Sequence, residues 1–359
     1  MEEYAKDLKE LRAQMTKTNE SIVKNLNGFI EISNKIGHVK DKLGLTHFDP
    51  VRESEMLKEV QEKNKGPMPD DLMKRIFKEL FKASVEEMGV GTRKRLKVNR
   101  LPGGKDLVIV VKGIEIGGER PVFMSGPCAV ENYEQIYTTA KKMKELGINI
   151  LRGGAFKPRT SPYSFQGFKK DALKMLRSVA DEFNMAVITE VLDIQTLPLV
   201  AKYADILQVG ARNMFNYSLL KEIGKINKPV MLKRGMMATI DEFILAAEYI
   251  YIGGNHKIIL CERGIRTFET QTRNTLDISS IPVLNKETPL PVIVDISHSL
   301  GRKDIIRPIA HAALSAGASG LMFESHYNPF VALSDSEQQL NLEEAEGLVN
   351  YLKNFFQFS

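Results

Sequence analysis

The stretch ILRGGAFKPRTSP, residues 150–162, carries an apolar, strand-like run into Arg152 and then sets Lys157 and Arg159 close behind it. An uncompensated buried charge is costly, so these cations imply either acids of the chain or a ligand that brings negative charge. The same habit recurs further on. Short apolar runs end at or near Cys128, Arg152, Glu190, Arg212, Lys233 with Arg234, Glu262 with Arg263, His298, and Glu324 with His326. These residues sort into two chemical groups. Cys128, His298 and Glu324, followed by Asp335 in the loop HYNPFVALSD, are metal-ligand types. A thiolate, an imidazole and carboxylates suit a first-row divalent ion such as Mn, Fe, Co or Zn. Singly, each has a plainer reading: a small buried apolar residue for Cys128, a helix cap before SEQQL for Asp335, a hydrogen-bonded core histidine for His298. Gathered on one rim, they favour the metal. The second group is Arg152, Lys157, Arg159, Arg212, Lys233 and Arg263. It exceeds what nearby acids can pair. Arginine forks fit phosphate or carboxylate oxygens and lysine adds a point charge, so substrates with more than one anionic group are expected.

Such residues do chemistry together only if a scaffold gathers the strand ends. From residue 120 eight apolar runs alternate with amphipathic helical stretches: PVFMSGPCAV, INILRGGA, AVITEV, DILQVGAR, PVMLKRG, KIILCERG, PVIVDISHS and GLMFESH. Eight strands alternating with helices over about 240 residues predict a parallel (β/α)8 TIM barrel, whose active site lies at the carboxyl ends of the strands. A doubly wound open sheet is the alternative, but no GxGxxG turn supports it.

The N-terminal part reads differently. Tyr4, Leu8, Leu11, Met15, Ile22, Leu26, Phe29, Ile32, Ile36, Val39 and Leu43 recur at spacings of three and four, an apolar stripe along one long helix. HFDPVRE interrupts it, with Asp49 suited to a cap and Pro50 to a first helical position. A second helix is expected to about Lys63 and a third over roughly 70–88. A long helix cannot bury such a stripe alone and needs partners, another subunit among them. The expected division is therefore an all-α three-helix domain over 1–90, a polar Gly-rich linker over 91–104, and the barrel over 105–359.

Composition narrows the class. Of 359 residues, 43% are hydrophobic and 26% charged, as in a soluble globular protein. Net charge is +5 from 50 basic and 45 acidic residues, too balanced for a nucleic-acid binder. MEEYAKDLKE has no apolar signal region, and no stretch of about 18 apolar residues suggests a membrane span. Two cysteines, Cys128 and Cys261, make no disulfide framework and fit a reducing cytoplasm.

GPCAVE, LRGGAFKPRTSP, VGARN, LKRG, CERGIRT, DISHS and LMFESH…ALSD together resemble 3-deoxy-D-arabino-heptulosonate 7-phosphate (DAHP) synthase, over essentially all of residues 105–355. The resemblance implies an aldol-type transferase that condenses phosphoenolpyruvate with erythrose 4-phosphate, the first step of the shikimate pathway to aromatic amino acids. It implies that Cys128, His298, Glu324 and Asp335 bind the divalent metal, which acts as a Lewis acid on the aldehyde. Arg152 and Lys157 would face phosphoenolpyruvate, Arg212, Lys233 and Arg263 its phosphate, and Arg159, Thr160 and Ser161 the sugar phosphate. Glu190 and Lys233 would place the water that adds to carbon 2, with Lys157 as a further catalytic candidate. The sister enzyme, 3-deoxy-manno-octulosonate 8-phosphate synthase, shares barrel and chemistry and is the alternative; KPRTSP favours the erythrose enzyme. A homotetramer is also implied.

The N-terminal helices resemble the all-α chorismate mutase domain that is sometimes fused to this synthase. Arg12, Lys40, Asp49, Arg52 and Glu53 stand where that family keeps its ligand-binding residues. Two positions depart from it: Phe29 replaces an arginine and Met88 a glutamine. Losing one charge-assisted contact removes about 1.5–3 kcal/mol. The expectation is a mutase that is weak or inactive, with the domain a feedback sensor for chorismate or prephenate. A fully bifunctional enzyme and a plain dimerisation module are the alternatives.

Overall fold

The computed structural model describes residues 2–43, 45, 49–93, 96–158, 161 and 163–358, with the backbone alone for 2, 3, 41 and 86–93. The chain divides into two compact units, Met1–Leu96 and Lys97–Ser359.

The first unit is three helices, α1 (Glu2–Leu43), α2 (Pro50–Lys63) and α3 (Asp70–Arg93). The Asp49 side chain caps α2 by accepting from the Arg52 amide at 3.0 Å, and Pro50 opens the helix. Phe29 of α1 stacks on Phe81 of α3 with centroids 6.0 Å apart, and Phe77 meets Phe81 edge-on at 6.0 Å. Among the described side chains of these helices, Leu57 and Phe81 are the large apolar ones that are buried. Most of the α1 stripe faces solvent: Leu11 is 60% exposed, Met15 61% and Ile32 59%. One copy of this unit does not satisfy the apolar face of its own long helix.

The segment expected as a linker behaves otherwise. Helix α3 enters it as far as Arg93, and residues from Lys97 onward belong to the barrel unit. The backbone amides of Lys97 and Val98 donate to the Glu248 carboxylate at 3.2 and 3.1 Å. Arg100 donates to the carbonyls of Asn285 and Thr288, each at 2.9 Å, and pairs with Asp106. Polar composition hides this because the buried apolar anchors, Leu96 and the fully buried Val98, sit among lysines and arginines.

The second unit begins with an antiparallel hairpin, β1 (Ile109–Val111) and β2 (Ile114–Ile116). Eight parallel strands follow: β3 (Val122–Gly126), β4 (Ile150–Arg152), β5 (Ala186–Val191), β6 (Ile206–Val209), β7 (Val230–Lys233), β8 (Ile258–Glu262), β9 (Val292–Asp295) and β10 (Gly320–Glu324). They pair in sequence order, and β10 closes the ring onto β3. Helices α4 (Tyr133–Glu145), α5 (Lys169–Glu182), α6 (Leu197–Tyr203), α7 (Tyr217–Ile223), α8 (Ile240–Ile252) and α9 (Ser280–Glu287) link successive strands. Short α10 (Ile296–Leu300) and α11 (Ile306–Ser315) lie between β9 and β10, and α12 (Leu342–Lys353) follows. Ile109, Val111 and Ile116 of the hairpin pack with Val122, Ile150 and Ile206, the first residues of their strands. The hairpin thus closes the amino end of the barrel with apolar side chains. The carboxyl end is left to polar ones, as in barrel enzymes. No helix among the described residues is long and apolar enough to cross a membrane.

Strand β3 must end in glycine. Gly126 has φ +151, and a Cβ there would stand 2.1 Å from the Arg152 carbonyl oxygen on β4. Gly126→Ala is therefore expected to lower stability by about 2 kcal/mol, read by chemical denaturation; an unchanged midpoint would mean that this close approach is not required.

Candidate active site

A cavity opens at the carboxyl ends of the strands. Of the residues singled out in the sequence, its lining includes the cations Arg152, Lys157, Arg212, Lys233 and Arg263, together with Glu190, His298 and Asp335. Arg152 and Lys233 are the last residues of β4 and β7, and Glu190 lies near the end of β5. Three expected strand ends lie slightly further on. Strand β3 stops at Gly126, β6 at Val209 and β9 at Asp295, so Cys128, Arg212 and His298 sit in the first turn beyond. Arg212 belongs to a single 3-10 turn, Ala211–Asn213, and His298 to α10.

Arg234, Glu262 and His326 are at the rim in sequence but do not line the cavity. Neighbouring residues of an extended strand point opposite ways, so Arg234 and Glu262 turn outward beside the inward Lys233 and Arg263. There Arg234 bonds Glu262 at 2.8 Å and Asp277 at 2.9 Å, while Gly264 N donates to Glu262 at 2.6 Å. This buried network joins the loops after β7 and β8. His326 is fully buried, and its Nδ1 accepts from the Asn328 amide at 3.0 Å.

The ligand-type residues converge. Cys128, Glu324 and Asp335 each offer a ligand atom, all within 4.8 Å of one another. His298 Nε2 approaches from α10, 3.4 Å from Glu324 Oε1. Cys128 Sγ donates to Asp335 Oδ2 at 3.3 Å and receives Lys157 Nζ at 2.9 Å. Burial, with Glu324 nearby, pushes the Cys128 thiol up to about 12. Burial also raises Glu324, but His298, Arg152 and Lys157 outweigh it and hold that carboxyl below its ordinary value. Asp335 is raised by burial and lowered further by Arg273 and Lys157, for a net fall. One sulfur and two carboxylates gathered within 4.8 Å, with an imidazole nitrogen 3.4 Å from one of them, form a donor set that fits a divalent transition ion.

Asp295 escaped the sequence reading. It is fully buried and joins the two groups. One oxygen accepts from the His298 backbone amide at 2.9 Å; the other meets His298 Nδ1 at 2.8 Å and pairs with Lys233 Nζ. A carboxylate on Nδ1 favours the tautomer whose Nε2 lone pair could serve a metal. Burial raises Asp295, yet His298 and Lys233 hold it well below the usual carboxylate range. The available signal was in DISH: an aspartate three residues before a histidine at a helix start is an N-cap spacing.

Anion capacity remains in excess. Among the described residues, Arg266 and Arg273 also line the cavity, making seven cations there against Glu190 and Asp335. Glu324 takes Arg152 at 2.9 Å, and Asp295 takes Lys233. Burial lowers Arg263 from the usual arginine value, so a nearby anion would relieve it. Glu190 bonds Gln208 at 3.4 Å, and a Cβ on Gly210 would meet its carboxylate at 2.1 Å. Arg159 and Thr160 lie outside the described residues. Ser161 is exposed, does not line the cavity, and accepts from the Tyr163 amide at 3.3 Å.

In the helical unit, Arg12 is exposed and Lys40 half-buried on the same helix. At 1.5 Å per residue they stand about 40 Å apart, so one copy cannot bring both to one ligand. Asp49 caps α2, Glu53 N donates to the Asp49 carbonyl at 2.9 Å, and exposed Arg52 bonds Glu55 at 3.0 Å. Phe29 is engaged with Phe81. The Met88 side chain lies outside the described residues.

Residues 96–357 match the DAHP synthetase I family, and residues 11–88 match chorismate mutase type II. Over 249 residues, 69% of this chain and 74% of the relative, the sequence is 53% identical to phospho-2-dehydro-3-deoxyheptonate aldolase of Thermotoga maritima. Over 259 residues, 67% of this chain and 93% of the relative, it is 30% identical to 2-dehydro-3-deoxyphosphooctonate aldolase of Stenotrophomonas maltophilia. The crystal structure of the Thermotoga maritima DAHP synthase aligns at a TM-score of 0.68 with 52% identity, covering 70% of this chain and 73% of that one.

Asp295→Asn would leave Lys233 buried without its counter-charge. A loss of about 3 kcal/mol is expected from chemical denaturation; a loss under about 1 kcal/mol would mean that Lys233 finds another partner. Asp277 is raised by burial but lowered more by Ser279 and Arg234, and like Asp295 ends below its ordinary value. Their contribution is whole above an unfolded value of about 3.9 and is lost as pH falls through the lower folded values. Denaturant midpoints should hold from pH 7 to about 5 and drop below about 4, less steeply in Asp277→Asn. A midpoint that rises on acidification would contradict this.

Proposed function

The chain belongs to the DAHP synthetase I family and carries a type II chorismate mutase region ahead of it, and on that premise we propose a metal-dependent synthase whose helical unit senses its ligand rather than converting it. The observation that carries the first half is the placing of a ligand cluster and an excess of cations at one barrel mouth. Held by Cys128, His298, Glu324 and Asp335, a divalent ion (Mn, Fe, Co or Zn) supplies Lewis-acid polarisation of the aldehyde of erythrose 4-phosphate. The residues of the chain do the rest. Arg212, Lys233 and Arg263 hold the phosphate of phosphoenolpyruvate, and Arg152 with Lys157 face its carboxylate side. The sugar phosphate is assigned to Arg159, Thr160 and Ser161 from the family motif alone, since Ser161 does not line the cavity.

Carbon 3 of phosphoenolpyruvate attacks the aldehyde carbon, forming the new C–C bond while positive character grows at carbon 2. The carbonyl oxygen of the aldose takes a proton from solvent. Water adds at carbon 2 and loses one proton to Glu190 or, through it, to bulk water. The new carbon 2 hydroxyl gives up its remaining proton as the bond from carbon 2 to the phosphate oxygen breaks, leaving the ketone and free phosphate. Lys233, paired with Asp295 and lining the same cavity as Glu190, is the candidate for holding that water and the departing phosphate. The higher identity to the heptonate aldolase than to the octonate aldolase favours erythrose 4-phosphate over arabinose 5-phosphate as acceptor.

For the helical unit the carrying observation is Phe29. It continues the apolar face and stacks on Phe81, so it cannot pair with a carboxylate of chorismate or prephenate. The remaining polar set, Arg12, Lys40, Asp49, Arg52 and Glu53, supports binding of such an acid as a feedback effector. The length of α1 between Arg12 and Lys40, and its exposed stripe, support a site completed by a second copy and an assembly of at least two chains, a homotetramer in the fullest form. Two free cysteines support a reducing, cytoplasmic setting.

With full-length protein, DAHP formation should stop on chelation and return with Mn2+, while chorismate is consumed no faster than in buffer. Prephenate should inhibit the synthase. Synthesis that survives complete chelation would remove the metal, and enzymatic conversion of chorismate would overturn the reading of Phe29.

A further inference from the structure

Two adjacent glutamines, Gln338 and Gln339, take no part in the roles above. Both are buried, at 4% and 0% exposure, just past the Asp335 turn. Their side-chain amides are spent on the segments that carry the candidate ligands. Gln338 Nε2 donates to Glu324 Oε2 at 2.6 Å, and its Oε1 accepts from Arg273 Nη1 at 2.7 Å. Gln339 Oε1 accepts from the Cys128 backbone amide at 2.8 Å, and its Nε2 donates to the Ser334 carbonyl at 2.8 Å. The Gln338 backbone amide returns to the Asp335 carbonyl at 3.3 Å.

Cys128 follows the first barrel strand, Glu324 ends the last, and Asp335 stands in a left-handed turn at φ +48. The glutamine pair spans all three. Its chemistry is specific. Arginine only donates and an ionised carboxylate only accepts, so the Gln338 amide has one workable orientation and both of its ends are needed. A glutamate there would set a like charge against Glu324. A methionine would fill the space and leave Glu324 Oε2 and Arg273 each one partner short. Gln339 likewise needs an acceptor for Cys128 and a donor for Ser334.

We propose that Gln338 and Gln339 are positioning residues of the divalent-cation site, and that Gln338 ties that site to Arg273, a cation of the anion cavity. The proposal rests on the metal reading given above and adds what holds the ligands in place. Arg273 also stands 3.6 Å from Asp335 Oδ2, so one guanidinium addresses both ligand carboxylates, one directly and one through Gln338. An anion drawn to Arg273 and a cation drawn to Glu324 and Asp335 therefore act on the same brace. Any change that one makes in the affinity of the other is matched by the same factor in return.

Mn2+ dissociation constants measured by electron paramagnetic resonance on the full chain, with and without phosphoenolpyruvate, test this in wild type, Gln338→Met, Gln339→Met and Arg273→Met. Each glutamine variant should bind Mn2+ about 10- to 100-fold more weakly. Gln339→Met should also shift the Co2+–thiolate absorption of Cys128, which a loss of general stability would not move. Gln338→Met and Arg273→Met should each abolish the effect of phosphoenolpyruvate on Mn2+ affinity. Affinities within about twofold of wild type, with that effect intact, would overturn the proposal. The Arg273 side chain is 39% exposed, so its variant keeps the test decisive if a glutamine variant fails to fold. A wild type that takes up no Mn2+ at all would remove the metal reading itself, a result distinct from unchanged variants.

Discussion

The carboxylate of Glu324 is a charge with almost no water around it, and much of the site is arranged to compensate it. Its oxygens meet Arg152 at 2.9 Å and Gln338 at 2.6 Å, with His298 Nε2 3.4 Å away. Ser297 Oγ steadies its backbone amide at 2.8 Å. Those partners come from β4, from the loop after β10 and from the turn after β9, so one buried acid fixes the relative places of three segments. A buried charge is tolerable only when paired and hydrogen-bonded, and removing any one partner leaves the others uncompensated. Asp295 repeats the arrangement on the other side of His298, with Lys233 as its cation. These two acids with their partners make a rigid polar floor, over which further arginines stand without a full complement of acids.

That surplus is what separates a structural ion-pair network from a binding site. The pair Arg234–Glu262, closed by Asp277, Ser280 and Gly264, is as buried as the floor but self-sufficient, and it faces away from the cavity. It links two loops and asks for no ligand. Arg212 and Arg263, by contrast, find carbonyl oxygens at 3.1–3.5 Å and no carboxylate partner among the described residues. Electrostatics of this kind suits reactants that bring phosphate and carboxylate with them.

Much of this was legible in the sequence because the barrel repeats one rule eight times. Apolar runs of strand length, each ended by a polar residue, announce both the fold and the end of it that matters. The capped start of α2 at Asp49 and Pro50 was legible for the same reason: local chemistry decides it. What stayed hidden depends on direction or on distant partners. Arg234 and Glu262 look like site residues until strand alternation turns them outward. Asp295, Gln338 and Gln339 look like a cap and two ordinary polar residues until the fold brings His298, Lys233, Glu324 and Cys128 to them. Residues 97–104 read as linker because a carboxylate on α8 that accepts their amides lies about 150 positions away in sequence. The helical unit was legible in its elements but leaves most of its long apolar stripe uncovered by its own helices.

The most direct measurement is anomalous diffraction at the manganese edge from crystals of the full chain grown with Mn2+. One peak per chain is expected, within bonding distance of Cys128 Sγ, His298 Nε2, Glu324 and Asp335, at about 2.0–2.4 Å. No peak there, or a peak at another set of residues, would contradict a cation-centred reaction at this end of the barrel.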